Sequence, residues 1–554
     1  MAVAKRIERW MASTFSGEDS MRKPTALISV FDKTGIVEFA RDLVDLGWDI
    51  ISSGGTAKAL RAAGLEVRDV AELSGLAAIL DHRVVTLVPQ VHAGLLALDK
   101  PEHDADRAKI NAPWIDMVCV NLYPLEAAIA KPDATTASVI ESTDIGGPTM
   151  LSSAAKGRRV VICDPADYGR VLAWLKEDRP NTEAFVTELC AKADGMVAGY
   201  RLASARFHSD GAIEGMIGTK AMDCKYGEAP YMTAALFRTN DNPLAVHSMT
   251  SITGTAPSYI NLTDLDRLRV TVNKIAATLA INGFPERFIA SVVKHGNVCG
   301  VGIATTPGEA ITKMIDSDIQ SVHGGVAMCN FLVGESEAEF IRNYKTSSDN
   351  KRMLDGLAAP GVTEAAGQVM ERKRGKCRVF ENPALARMGF ESLDRVSYRA
   401  LSKGNFLRQE GEPFVLEVND PRINRLLGDL DLQQKVDIAL AFAIGSTADS
   451  NTITLVRDGM LLGQGVRQTS RVRAAMVAVM NAQLSGHNTH GALAYSDSFF
   501  PFQDGPEVLA RAGVKVIFAS SGSINDESVR DFCRSNGVNL WTLPDKVCRG
   551  FFGH

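Results

Sequence analysis

Paired cysteines, a histidine–glutamate metal motif and a long apolar run are all missing from this 554-residue chain. Its nine cysteines (Cys119, Cys163, Cys190, Cys224, Cys299, Cys329, Cys377, Cys533 and Cys548) are scattered and form no CxxC. That excludes a disulfide framework and leaves reduced, mostly buried thiols in a cytoplasm-like compartment. There is no HExxH and no cysteine set at ligand spacing, so no zinc or other metal is expected. No apolar run approaches the roughly 18 residues of a membrane span. The first twenty residues mix both charge signs and lack a continuous apolar core, unlike a secretory signal. Residues 1–23 read as an extension without a catalytic role. A net charge of -5 gives no reason to expect nucleic acid as a partner.

What is present is an ordinary globular composition, 45% hydrophobic, in a chain too long for one core. The N-terminal third alternates strands and helices: TALISVF, IVEFARDLVDLG, WDIISSGGT, TAKALRAAGLEV, WIDMVCVNLYP, STDIGGPTMLSSAAK and RRVVICDP. Such alternation predicts an α/β fold with a parallel sheet covered on both faces. A glycine-rich stretch without period near residues 215–225 marks a boundary. Further strands are expected at ASVVKHG, NTITLVRDG and VKVIFASSG, and a helix with a surface connection at about 335–355. No repeat of short period is visible.

One dipeptide stands out. Lys294-His295 ends an apolar run (Phe288, Ile289, Ala290, Val292, Val293), and glycines follow at Gly296, Gly300 and Gly302. A buried strand delivering a cation and an imidazole to a loop is how open α/β sheets build reactive sites. Near the C-terminus, Asp497 stands beside Phe499, Phe500 and Phe502, a cluster suited to a flat aromatic ligand; core packing is the alternative. Ser53-Gly54-Gly55-Thr56 opens a helix and offers N–H groups and hydroxyls to a phosphate, or is a tight turn with a capping Thr. Asp144, ahead of Gly146 and Gly147, either orients a substrate or caps a helix. Tyr123 and Lys156 read as a core tyrosine and a solvated lysine unless a site recruits them. Gly463, Gly465, Gln468, Ser470 and Arg471 lie between a strand and a helix, which suits ligand binding by backbone and amide groups or a plain hairpin-to-helix junction. Asn451 precedes the strand TITLV and is a turn residue or a ligand contact.

Taken in order, these stretches resemble the bifunctional purine-biosynthesis family AICAR transformylase/IMP cyclohydrolase. The resemblance runs from about residue 24 to the C-terminus, through SVFDKTG, SSGGTAKAL, NLYP, DIGGPTMLSSAAK, KYGEAP, YINLTDLD, KHGNVCGVG, SNTITLVRDG, QTSRV and SDSFFPFQDG. It implies a methylglyoxal-synthase-like, doubly wound parallel-sheet domain over 24–217. It also implies a transformylase part over 218–554, built from two cytidine-deaminase-like α/β subdomains without that fold's zinc, in an intertwined homodimer. It implies 10-formyltetrahydrofolate as cosubstrate and a ribotide as acceptor. In the resemblance His295 takes the amine proton, Lys294 stabilises developing charge on the formyl oxygen or assists departure of the folate nitrogen, Asn451 orients the amine and Asp497 sits near the folate. Lys225 and Tyr226 hold the ribotide phosphate, while Gly324, Gly325, Gln468, Ser470, Arg471, Phe499 and Phe502 line the pocket. The cyclohydrolase remnant is Ser53, Gly54, Gly55, Thr56, Arg83, Tyr123, Asp144 and Lys156.

Departures accompany the match. Where the family reads RVKTLHPKVHGG, this chain reads RVVTLVPQVHAG, so Val85 replaces a catalytic lysine, Val88 a histidine and Gln90 a lysine. Phe31 replaces a small hydroxyl residue. Ala229-Pro230-Tyr231-Met232 stands for NPHQ, Ser321-Val322-His323-Gly324-Gly325 for SAFGG, and RGFFGH for RHFRH. Apolar residues at an anion site remove charge stabilisation of the closing ring, so weak or absent cyclohydrolase activity is expected. Three other readings stay open: a fully bifunctional enzyme, a paralogue formylating a different amine, and a non-catalytic ligand-binding protein.

Overall fold

The computed structural model describes residues 22–80, 83–347, 350–411 and 414–553. The extension at residues 1–23 falls outside this range but for its last two residues, as does His554. The chain divides into two compact units, the first ending at Thr219 and the second starting at Lys220.

In the first unit β1 (Thr25–Val30), β2 (Asp49–Ser52), β3 (Arg68–Asp69), β4 (Met117–Asn121) and β5 (Val160–Ile162) form one parallel sheet in the order β3-β2-β1-β4-β5. The central strand TALISV is buried at five of six positions because helices cover both faces. Among them are α1 (Ile36–Asp45), α2 (Gly54–Ala62), α3 (Gly146–Lys156) and α4 (Thr182–His208). This is the doubly wound α/β domain expected from the alternation. The strand order reverses between β1 and β4, so a crevice opens beyond their C-terminal ends. Phe31 leaves β1 there, its N–H donating to the Asn121 side chain at 2.6 Å.

The second unit holds a twelve-stranded sheet. Its strands are β6 (Thr250–Thr253), β7 (Phe288–Lys294), β8 (Asn297–Ala304), β9 (Val326–Cys329), β10 (Gly356–Ala359), β11 (Arg378–Glu381), β12 (Asn424–Arg425), β13 (Ile453–Arg457), β14 (Met460–Gly465), β15 (Leu493–Ser496), β16 (Val516–Ser521) and β17 (Asn539–Pro544). They run in the order β12-β17-β16-β15-β13-β14-β8-β7-β9-β10-β11-β6. The order conceals a duplication. Helix α5 (Tyr259–Ile281), the β7–β8 hairpin, α6 (Pro307–Ser317) and three parallel strands β9, β10 and β11 make one subdomain. Helix α7 (Leu432–Gly445), the β13–β14 hairpin, α8 (Arg471–Leu484) and β15, β16 and β17 repeat the pattern. The two copies meet edge to edge where Gly302 of β8 pairs with Met460 of β14. These are the two α/β subdomains expected; the repeat is structural and leaves no short period in the sequence.

Four glycines placed in loops by the sequence reading are strand residues instead. Gly300 and Gly302 lie in β8, and Gly463 and Gly465 in β14. A Cβ at Gly302 would sit 2.2 Å from the Ala310 carbonyl of α6, and one at Gly465 would sit 2.1 Å from the Ala474 carbonyl of α8. They let the helix after each hairpin lie against the sheet, which is a packing role and not a ligand-binding one. Gly302→Ala and Gly465→Ala should each cost about 3 kcal/mol, because backbone must move. Urea unfolding of the full chain measures this; a loss near zero would show that the helices yield freely.

Candidate functional site

In the first unit a cavity of about 860 Å³ opens at the β1–β4 crevice. Ser53, Gly54, Gly55 and Thr56 line it at the start of α2, with Arg83, Tyr123 and Asp144 opposite. Ser53, not Thr56, is the N-cap, and its side chain makes no capping bond. The Thr56 hydroxyl is already committed to β1, donating to the Val30 carbonyl at 3.0 Å and accepting the Val30 N–H. The α2 N–H groups remain at this end as donors that suit an anion, with Lys33 near them: its Nζ is 3.8 Å from where a Gly55 Cβ would stand. Lys33, Lys58 and His208 also line the cavity and were not singled out from sequence, although Lys33 lies within SVFDKTG.

Asp144 accepts the Gly147 N–H at 2.8 Å, and burial pushes its carboxyl above the ordinary range. Tyr123 is no core residue: it is 47% exposed, and its ring meets Phe31 edge-on at 5.3 Å. Burial, then the Asp144 charge, raise its phenol. Lys156 is exposed at the last residue of α3, about 9 Å along the helix beyond Met150 of the cavity wall, and takes no part in that wall. Val85 is on the wall; Val88 is buried in the core at the N-cap of the helix Pro89–Leu96. Only the first of these two valines therefore faces the cavity.

In the second unit Lys294 closes β7 and pairs with Asn297, leaving His295 and Gly296 as a two-residue turn. Both have positive φ, 54° and 75°, the signature of a type I′ turn. A left-handed backbone costs a non-glycine residue about 1–2 kcal/mol, so something must hold His295 there. The buried carboxylate of Asp264 on α5 does so, accepting the Gly296 N–H at 2.7 Å with the His295 N–H against it. The His295 side chain is exposed. The Lys294 ammonium donates to the His323 carbonyl at 2.8 Å and lies over Gly324, which ties the hairpin to the Ser321–Gly325 loop.

A second cluster forms around the start of β13. Asn451 Nδ2 donates to the Gln468 carbonyl at 2.9 Å. Asp497 is 1% exposed, and its carboxylate accepts from Ser450 Oγ at 2.5 Å and from Arg471 at 2.6 Å. Each carboxylate oxygen thus holds one neighbour, so Asp497 fixes Ser450 and Arg471 in place. Ser470 is the N-cap of α8. The phenylalanines separate: Phe500 is core, Phe502 is 61% exposed, and Phe499 lies beneath the Arg549 guanidinium at 5.9 Å.

Helix α5 carries both clusters. One turn after Asp264, Arg267 bonds to Asp449 at 3.0 Å and to the Thr447 carbonyl, with its guanidinium over Phe552 at 3.9 Å. A cavity of about 540 Å³ lies along this helix, lined by Arg267, Thr263, Gly296 and Cys224. Lys225 and Tyr226 follow Cys224, their backbone bonded to Pro257 and Tyr259 at the start of α5. Asp264 and Arg267 escaped the sequence reading, although Asp264 lies within YINLTDLD.

Among the described residues no group of three or more His, Cys, Asp or Glu side chains could hold a metal ion. No helix among them is long and apolar enough to cross a membrane. Comparison with known proteins gives a consistent result. The model of the AICARFT/IMPCHase bienzyme family matches residues 154–481, and that of the MGS-like domain matches 35–149. The bifunctional purine biosynthesis protein PurH of Bacillus cytotoxicus is 35% identical over 520 residues, spanning 91% of this chain and 95% of its own. PurH of Bacillus thuringiensis subsp. konkukian is 35% identical over 532 residues, 94% of this chain and 98% of its own. A solved structure described as "Crystal structure of ForH" aligns with 34% of this chain and 100% of its own at 33% identity, with a TM-score of 0.31. On the family match and the two full-length relatives, this chain belongs to the AICARFT/IMPCHase bienzyme family.

Proposed function

We propose that the second unit moves a formyl group from 10-formyltetrahydrofolate to the 5-amino group of AICAR or a similar ribotide, while the first unit holds a ribotide but closes its ring poorly. The observation that carries the first half is the Lys294-His295 turn, with a committed cation beside an exposed imidazole on a fixed backbone. In this reading the acceptor nitrogen bonds the formyl carbon and the bond from that carbon to the folate nitrogen breaks. His295 takes the proton from the acceptor amine and returns it to the departing nitrogen. Lys294 stabilises charge on the formyl oxygen. Asn451 orients the amine, Phe499 and Phe502 offer faces to the folate ring, and Lys225 and Tyr226 hold the ribotide phosphate. The cosubstrate supplies the activated one-carbon unit; no metal enters. The reading includes a homodimer in a cytoplasmic setting.

Val85 on the cavity wall carries the second half. The α2 N-terminus and Lys33 keep an anion site, but an isopropyl group cannot stabilise the negative charge that develops on ring closure. This favours a second reading. The AICAR amine is conjugated with its ring and is a poor nucleophile, and cyclisation normally draws the transfer forward. Without that pull, a more nucleophilic amine suits this protein better. Incubating the full chain with 10-formyltetrahydrofolate and AICAR, beside other ribotides and amines, should release tetrahydrofolate with one of them. No release with any would refute transfer.

A further inference from the structure

The duplicated subdomains repeat a detail of the Lys294-His295 turn. Asp264 is the sixth residue of α5, and Asp437 is the sixth residue of α7. Asp264 holds the His295-Gly296 turn between β7 and β8. Asp437 holds the Asp458-Gly459 turn between β13 and β14, accepting the Asp458 N–H at 2.8 Å and the Gly459 N–H at 2.7 Å. Both turns have positive φ at both positions. Both carboxylates are buried, 5% and 2% exposed. The difference lies in what the turn displays. In the second copy the first position is Asp458, an ordinary residue for this turn, and the Gly459 carbonyl is spent on the Ile303 N–H. In the first copy that position is His295, whose exposed side chain is the one the transfer reading employs.

We propose that Asp264 is a positioning residue for formyl transfer: its carboxylate locks the His295-Gly296 turn so that the imidazole is fixed toward the acceptor, whereas Asp437, the same clamp in the second subdomain, serves folding alone. The proposal rests on the transfer reading above. A free carboxylate at this depth would be poorly solvated, and the turn N–H groups replace its water. The imidazole then inherits the rigidity of α5 through two backbone bonds.

The test compares Asp264→Ala, Asp264→Asn and Asp437→Ala in the full chain, alone and with His295→Ala, using 10-formyltetrahydrofolate and whichever of AICAR, other ribotides and amines the parent formylates. Asp264→Ala should lower kcat about 100-fold with KM for that acceptor nearly unchanged, the scale of a misplaced catalytic group. Asp264→Asn keeps one acceptor oxygen and should recover part of the loss. Asp437→Ala should lower the urea midpoint while leaving kcat per folded molecule unchanged. In the His295→Ala background, Asp264→Ala should cost nothing further. Equal loss with or without His295, or an Asp264→Ala chain with parental kcat, would overturn the proposal. If the parent transfers no formyl group, or His295→Ala transfers it normally, the transfer reading fails instead. The clamp is then judged by hydrogen exchange at the 295–296 turn, which Asp264→Ala should speed by about tenfold or more and Asp437→Ala should not. Unchanged protection overturns it whatever the turnover.

Discussion

His295→Ala removes formyl transfer. Turnover with 10-formyltetrahydrofolate and the accepted amine is expected to fall by about 10³-fold, within the range of a lost general base. The fold should survive, because the imidazole is exposed and the turn is held through backbone N–H groups. Alanine is as strained as histidine at a φ of 54°, so His295→Gly is the cleaner variant. It also deletes the imidazole but should unfold at higher urea than His295→Ala. Lys294→Ala should cost about 10²-fold if, as proposed, its charge stabilises the formyl oxygen. Tetrahydrofolate release, followed with the acceptor saturating, reads all three. Transfer by His295→Gly within tenfold of the parent would remove the imidazole from the chemistry.

The other large effect concerns ring closure. Supplied with formyl-AICAR, the parent chain is expected to make IMP at least about 10²-fold more slowly than a family member with lysine at this place, the usual cost of losing one charge-stabilising group. Val85→Lys should regain roughly tenfold or more, because the residue lines the cavity. Val88→His should regain nothing and should destabilise, because Val88 is buried in the core. The two variants therefore separate a catalytic gap from a packing change. Brisk IMP formation by the parent would mean that Tyr123, Asp144 and Arg83 close the ring without the cation.

A pH effect on stability is also expected. Burial raises the Asp437 carboxyl from 3.8 to about 6. The folded chain keeps that proton longer than the unfolded chain, so stability falls as pH rises between about 4 and 6. The component amounts to roughly 3 kcal/mol. Asp437→Asn lacks it and should be less destabilising at neutral pH than near pH 4; the same penalty at both would exclude Asp437 as the source.

The Lys294-His295 turn was legible in sequence because an apolar run leading into glycines is a strong local signal. Four strands of the first unit's parallel sheet were legible for a similar reason, each being a short apolar block; β3, the dipeptide Arg68-Asp69, was not. Asp264 and Asp437 were not legible. An aspartate in the second turn of a helix looks like a solvated residue, and only the hairpin folded against it shows its use. The duplication was hidden too: Asp264 and Gly296 are separated by 32 residues, whereas Asp437 and Gly459 are 22 apart. Gly302 and Gly465 were misplaced because a glycine that admits a helix and one that admits a ligand look alike in one dimension. The bonds of Asp497 to Arg471 and Ser450 were not legible either, because those residues approach it only in three dimensions.

The seam between β8 and β14 bears on how the chain is made. Met460 emerges from the ribosome about 160 residues after Gly302. At roughly 5–20 residues per second, the first hairpin waits on the order of ten to thirty seconds with a bare edge. That edge, NVCGVGIA, carries no charge to discourage a stray strand. Nascent copies on one messenger are thus most open to mispairing with each other in that interval, and slowing translation downstream of β8 lengthens it.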